Sequence, residues 1–275
     1  MIEGTQFTLP GSASEPVACD LSLPDGDGPH PMVVLVHGFK GFSGWGFFPL
    51  LAERLAASGV AALRVNFSHN GTGQSEEAAH FTRLDLFERD RMSYRLLDLQ
   101  AAIRETWARH PAIAPSRLGL LGHSLGGAVC LLAMKSLPAR CLVTLASVDY
   151  TRFTPEQAEV IRRDGRLLIP NARTKQMMPI GIAALRDLEA HADEYDLDAA
   201  AAMHGLPWLI THGSKDPTVP VAAARRLASL GGPRATLDVI DGADHVLDCK
   251  HPFAGPTTAF DSFAAASTAF LNTHL

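Results

Sequence analysis

Residues 117–134 read RLGLLGHSLGGAVCLLAM, an apolar run broken by Gly122-His123-Ser124-Leu125-Gly126-Gly127. A serine spaced G-x-S-x-G between a strand and a helix suits a nucleophile held on a sharp turn. Its neighbours must be small, because the turn presses them against adjoining backbone. The helix that starts there points its first N–H groups at the place where an oxyanion would gather charge. Ser124 could serve merely as a helix N-cap. The strand before it and the helix after it favour the nucleophile.

A serine hydroxyl is nearly inert at neutral pH and needs a base that is itself oriented by a third group. In a strand–Ser–helix setting the expected chain order is Ser, acid, His. Asp216 stands in THGSKDPTVP and His245 in DGADHVLD. Each follows an apolar run that reads as a strand, where the carboxyl ends of parallel strands gather site residues. Asp238, Asp241, Asp244 and Asp248 compete for the acid, and His212 and His251 for the base. A fourth element is VLVHGFKGF. A strand that ends at His37-Gly38 leaves the N–H of Phe39 free to face the nucleophile, and with the N–H of Leu125 it makes a two-donor oxyanion hole.

These residues need a scaffold that brings strand ends together. Short β-like pieces occupy 5–9 and 17–23, and residues 31–38 and 60–67 read as strands buried on both faces. Strands are also expected at 117–122, 141–147, 207–213 and 235–241. Helical patterns fill 49–59, 90–110, 124–137, 219–232 and 257–275. Such alternation predicts an α/β protein with a mainly parallel sheet and helices on both faces. Residues 148–206 break the rhythm, with helical pieces at 155–165 and 184–203 around RLLIPNARTKQMMPI. The expected organisation is a core of 1–147 and 207–275 with a lid at 148–206. Leu168, Ile169, Met177, Met178 and Ile180 could line a pocket there, or only dock the lid on the core. Arg173 and Lys175 could contact an anionic group, or simply be solvated.

The chain resembles serine hydrolases of the α/β-hydrolase fold, in the dienelactone hydrolase-like and feruloyl (cinnamoyl) esterase-like branch. The resemblance rests on HGFKGF (37–42), NFSHNGTG (66–73), GHSLGG (122–127), HGSKDPTVP (212–220) and GADHVL (242–247). NARTKQMMPI (171–180) is similar to the small lid segment of that branch. The resemblance implies a Ser124–Asp216–His245 triad with Phe39 and Leu125 as oxyanion donors. True dienelactone hydrolases carry a cysteine nucleophile, so that activity does not carry over to Ser124.

Other chemistries fit poorly. Dehalogenases and epoxide hydrolases of this fold need Asp where Ser124 stands. GTGQS (71–75) lacks the third glycine of a dinucleotide fingerprint, and neither a P-loop nor HExxH occurs. DHVLDCKH (244–251) mimics a metal site, but a catalytic loop explains its histidine better. A net charge of −5 with interspersed signs offers no basic stripe for nucleic acid. Four scattered cysteines read as reduced core residues. With neither a signal-peptide pattern nor a membrane-length apolar run, a cytoplasmic protein is expected. The expected substrate is a small-molecule carboxylic ester, cleaved through an acyl-enzyme without cofactor or metal. Self-association into a homodimer is left open. The alternatives are a thioester, amide or C–C bond substrate for the same residues, or a non-catalytic ligand-binding member of the fold.

Overall fold

A computed structural model describes residues 4–72, 80–203 and 205–275. Its centre is an eight-stranded sheet in the order β1-β2-β4-β3-β5-β6-β9-β10. The strands are β1 (Gly4–Pro10), β2 (Pro16–Ser22), β3 (His30–Val36), β4 (Ala61–Asn66), β5 (Ile113–His123), β6 (Ala139–Leu145), β9 (Trp208–Gly213) and β10 (Ala235–Ile240). β1 and β2 run antiparallel to their neighbours, and every pairing from β4 to β10 is parallel.

The solid apolar runs follow from burial on both faces. Met32, Val34 and Val36 of β3 enter one core, while Val33 and Leu35 enter the other. The first core is closed by α3 (Met92–Arg109), α4 (Leu125–Ala133), α7 (Leu197–Met203) and α8 (Val221–Gly231). The second is closed by α1 (Phe48–Ala57) and α9 (Thr258–His274), which contribute Leu51, Leu55, Phe260 and Phe263. From Gly126 to Ala133, every residue of α4 is buried. A helix apolar all round belongs inside, which explains why GGAVCLLA has no polar face.

Register decides where the site falls. Val36 is paired with Gly122, His123 with Leu145, Leu145 with Thr211, and Gly213 with Ile240. The loops after β3, β5, β6, β9 and β10 therefore leave one edge of the sheet at nearly one level. That edge receives Gly38, Ser124, Ser147, Asp216 and His245.

The segment between β6 and β9 carries α5 (Pro155–Asp164), β7 (Arg166–Pro170), β8 (Met177–Gly181), α6 (Ile182–Ala190) and α7. β7 and β8 form an antiparallel hairpin that the sequence pattern did not disclose. Its turn is built by Asn171, whose Oδ1 accepts the N–H groups of Arg173 and Thr174. The helix expected over 184–203 is two helices, parted at 191–196. A short helix, α2 (Leu84–Arg89), was also unforeseen. It packs on β8 through Phe87 and Met178, joined by Phe81. Gln176 fixes that docking, because its side chain both accepts from Phe81 N–H (2.9 Å) and donates to Phe81 C=O (2.8 Å). Gly73, Gln74 and Ser75, from the sequence stretches discussed above, lie outside the described residues. All four cysteines are free and buried, and burial raises Cys19 and Cys141 to about 12. Among the described residues, no helix is long and apolar enough to cross a membrane.

Candidate active site

Ser124 sits between β5 and α4 at φ 56° and ψ −123°, a conformation that costs about 1–3 kcal/mol for a residue with a Cβ. Its glycine neighbours are forced by contact. A Cβ on Gly122 would lie 2.3 Å from Gly126 O, and one on Gly126 would lie 2.2 Å from Val36 O. Gly38, after β3, is equally close, with a virtual Cβ 2.8 Å from the Ser124 Cβ. The backbone of 38–39 is thus laid against the serine. Among the described residues, neither Phe39 N–H nor Leu125 N–H donates to a protein acceptor. Two uncommitted donors flank Ser124, one from each side of the elbow.

Asp216 and His245 are brought together. His245 Nδ1 lies 2.7 Å from Asp216 Oδ2, and the Asp216 side chain is wholly enclosed. A carboxylate only accepts, so Nδ1 carries the proton and Nε2 keeps its lone pair. Asp216 Oδ1 accepts the N–H groups of Thr218 (2.8 Å) and Val219 (2.9 Å). Burial by itself would raise this carboxyl. Hydrogen bonds from His212, His245 and the Val219 N–H outweigh it and hold Asp216 well below the carboxylate range.

The other carboxylates have different work. Asp241 accepts the Ser214 hydroxyl, and Asp244 Oδ1 accepts the N–H groups of Val246 and Asp248, shaping the turn that presents His245. His251 is bonded through Nδ1 to Gly46 N–H, beside Phe42 and Trp45. Among the described residues Ser124 Oγ makes no hydrogen bond, so the contact between the hydroxyl and His245 Nε2 is open in this structure.

Two further histidines belong to the assembly. His123 Nε2 donates to the main-chain carbonyl of His245 at 3.0 Å. Burial and the neighbouring His245 lower His123 to about 3, so it stays neutral. His212 Nε2 lies 3.2 Å from Asp216 Oδ2. Sequence reasoning treated His212 as a rival of His245 rather than a companion of Asp216. The available signal was its place four residues before Asp216, at the end of the same strand.

The residues expected to bind substrate separate in space. Met178 is fully buried against Phe87 and Phe81, in a cluster that also touches Phe39. Met177 points the other way and is 48 % exposed, as β alternation requires. Arg173 holds its guanidinium 5.6 Å from the Phe42 ring. Lys40 Nζ donates to Pro170 O at 3.3 Å and spans from the β3 loop to the hairpin.

The alpha/beta hydrolase family model matches residues 33–255, which include every element of this site. The chain belongs to the alpha/beta hydrolase family. This hydrolase is 26% identical over 204 residues to "Putative esterase YitV" of Bacillus subtilis (strain 168), covering 71% of this chain and 72% of that one. Its fold is shared with an esterase domain from Rhodothermus marinus, at TM-score 0.65 and 21% identity over 98% and 99% of the two chains. Est1E from Butyrivibrio proteoclasticus, solved with ferulic acid bound, matches at TM-score 0.71 and 18% identity over 98% of each chain. The family resemblance read from the motifs therefore holds.

Proposed function

We propose that this alpha/beta hydrolase cleaves a carboxylic ester through an acyl-enzyme on Ser124, with His245 as the base and Asp216 as its orienter. The observation that carries the reading is the 2.7 Å contact between Asp216 Oδ2 and His245 Nδ1, at the strand edge that also bears Ser124. That contact fixes the tautomer in which Nε2 can take a proton.

In the reaction the Ser124 hydroxyl turns to His245 Nε2, and Oγ attacks the ester carbonyl carbon as the proton passes to the imidazole. The carbonyl oxygen becomes an alkoxide and accepts the N–H groups of Phe39 and Leu125, aided by the α4 N-terminus. The tetrahedral carbon then expels the alcohol, which leaves with the proton from His245. Water, deprotonated by the same imidazole, attacks the acyl carbon and releases the acid and Ser124. The Asp216 carboxylate faces the imidazolium that forms twice in this cycle.

Residues 148–206 act in this reading as the lid over the acyl pocket. Met178 belongs to the buried cluster against which Phe39, the proposed oxyanion donor, packs. Met177 is on the outer face and Arg173 at the turn. The esterase names of the Bacillus subtilis relative and of the Rhodothermus marinus structure support the ester reading.

The test pairs p-nitrophenyl esters of graded chain length with a fluorophosphonate probe. Wild type should turn over at least one ester and be labelled, and Ser124→Ala should lose both, at about 10³-fold or more in kcat, while keeping its fold. A folded Ser124→Ala protein with wild-type turnover overturns the proposal.

A further inference from the structure

Asp216 has more donors than a base orienter needs. Oδ1 takes two backbone N–H groups, and Oδ2 takes two imidazoles, His245 Nδ1 at 2.7 Å and His212 Nε2 at 3.2 Å. His212 lies in β9 with its side chain fully enclosed, paired across the sheet with Val239.

The tautomer of His212 follows from its second contact. Nε2 also lies 2.9 Å from Val219 O, and a carbonyl oxygen can only accept. The proton is therefore on Nε2, and it is shared between that carbonyl and Asp216 Oδ2. Nδ1 is buried without a hydrogen-bond partner among the described residues. An apolar side chain would fill this strand position without leaving a ring nitrogen unsatisfied. At His212 the imidazole bears that cost beside the Asp216 carboxylate.

We propose that His212 is a positioning residue, whose Nε2–H holds Asp216 Oδ2 in the orientation that receives His245 Nδ1. The inference rests on the Ser124–His245–Asp216 reading. His212 does not touch substrate. It acts through Asp216, which without it keeps both backbone bonds at Oδ1 but loses one of the two restraints on Oδ2. The carboxylate plane can then rock about the Oδ1 anchor, and the His245 ring rocks with it. Substrate binding does not depend on that motion, whereas proton transfer does.

The test compares His212→Gln, whose amide N–H reaches about as far as imidazole Nε2, with His212→Met, which fills the space without a donor. Melting curves establish that each is folded. His212→Met should lose kcat by about tenfold or more at unchanged KM, and His212→Gln should stay within about threefold of wild type. Wild-type kcat in folded His212→Met overturns the proposal, as does an equal fall in both variants with KM raised in both. Should His212→Met not fold, 15N spectra of histidine-labelled wild type decide. The Nε2–H tautomer supports the proposal, and the Nδ1–H tautomer overturns it. Failure of the parent reading looks different, because Ser124→Ala would then retain turnover whatever the His212 variants do.

Discussion

His123, the residue before Ser124, donates its Nε2–H to the main-chain carbonyl of His245 at 3.0 Å. The strand that ends in the elbow thereby grips the loop that carries His245, across 122 residues of chain. His123 also packs edge-on against Phe47 and Phe48. His123→Phe should keep that packing and leave the His245 carbonyl without its donor. We expect kcat to fall about tenfold with little change in KM, from the loss of a bond of about 1–2 kcal/mol. Steady-state kinetics on one ester checks it, and a variant with wild-type kcat means the grip is idle.

The choice of acid is open to a two-variant comparison. Both oxygens of Asp216 serve only as acceptors, each facing two N–H donors. Asn at 216 therefore sets its NH2 group against two donors however it is flipped. Asp216→Asn should cost about 10²–10⁴-fold in kcat. Asp244 uses Oδ1 alone for its two backbone bonds, and an Asn carbonyl can still accept both. Asp244→Asn should stay near wild type. The reverse pattern would make Asp244 the orienter.

Acid should unfold this protein early. Burial lowers His37 from its ordinary 6.5 to about 3, helped by the charge of Arg95, and burial with His245 lowers His123 to about 3. Between pH 6.5 and 3 the unfolded chain binds protons at these two rings that the folded chain refuses. Stability therefore falls as pH falls, by about 2 kcal/mol for each ring between pH 7 and pH 5. Asp216, held below the carboxylate range, adds to the loss in the same direction once pH drops under the unfolded carboxylate value. Urea midpoints at pH 7 and pH 5 measure this. A midpoint unchanged, or higher at pH 5, contradicts it.

The hairpin offers a control within two adjacent residues. Met178→Ala empties a buried position beside Phe39 and Phe87, at a cost of about 2–5 kcal/mol. It should also change the ranking of acyl chain lengths. Met177→Ala, on the exposed face of the same strand, should alter stability by about 0.5 kcal/mol or less and leave the ranking alone. An ester panel decides the matter, and an unchanged ranking in both variants removes Met178 from the substrate pocket.

Local pattern determined a great deal about this protein. Solid apolar runs announced strands covered on both faces, and G-x-S-x-G between a strand and a helix marked the elbow because only glycine tolerates backbone at 2.2–2.3 Å. Loop positions after late strands put Asp216 and His245 forward as candidates, with rivals beside them. What tertiary structure alone decided was pairing across distance. Asp216 was separated from Asp244 by who donates to whom, which no spacing encodes. His123 and His212 looked like spare histidines until sheet register set them beside His245 and Asp216. The hairpin in the insertion was hidden for the same reason. Met177 and Met178 are chemically alike, and only the partner strand and α2 choose which one is buried.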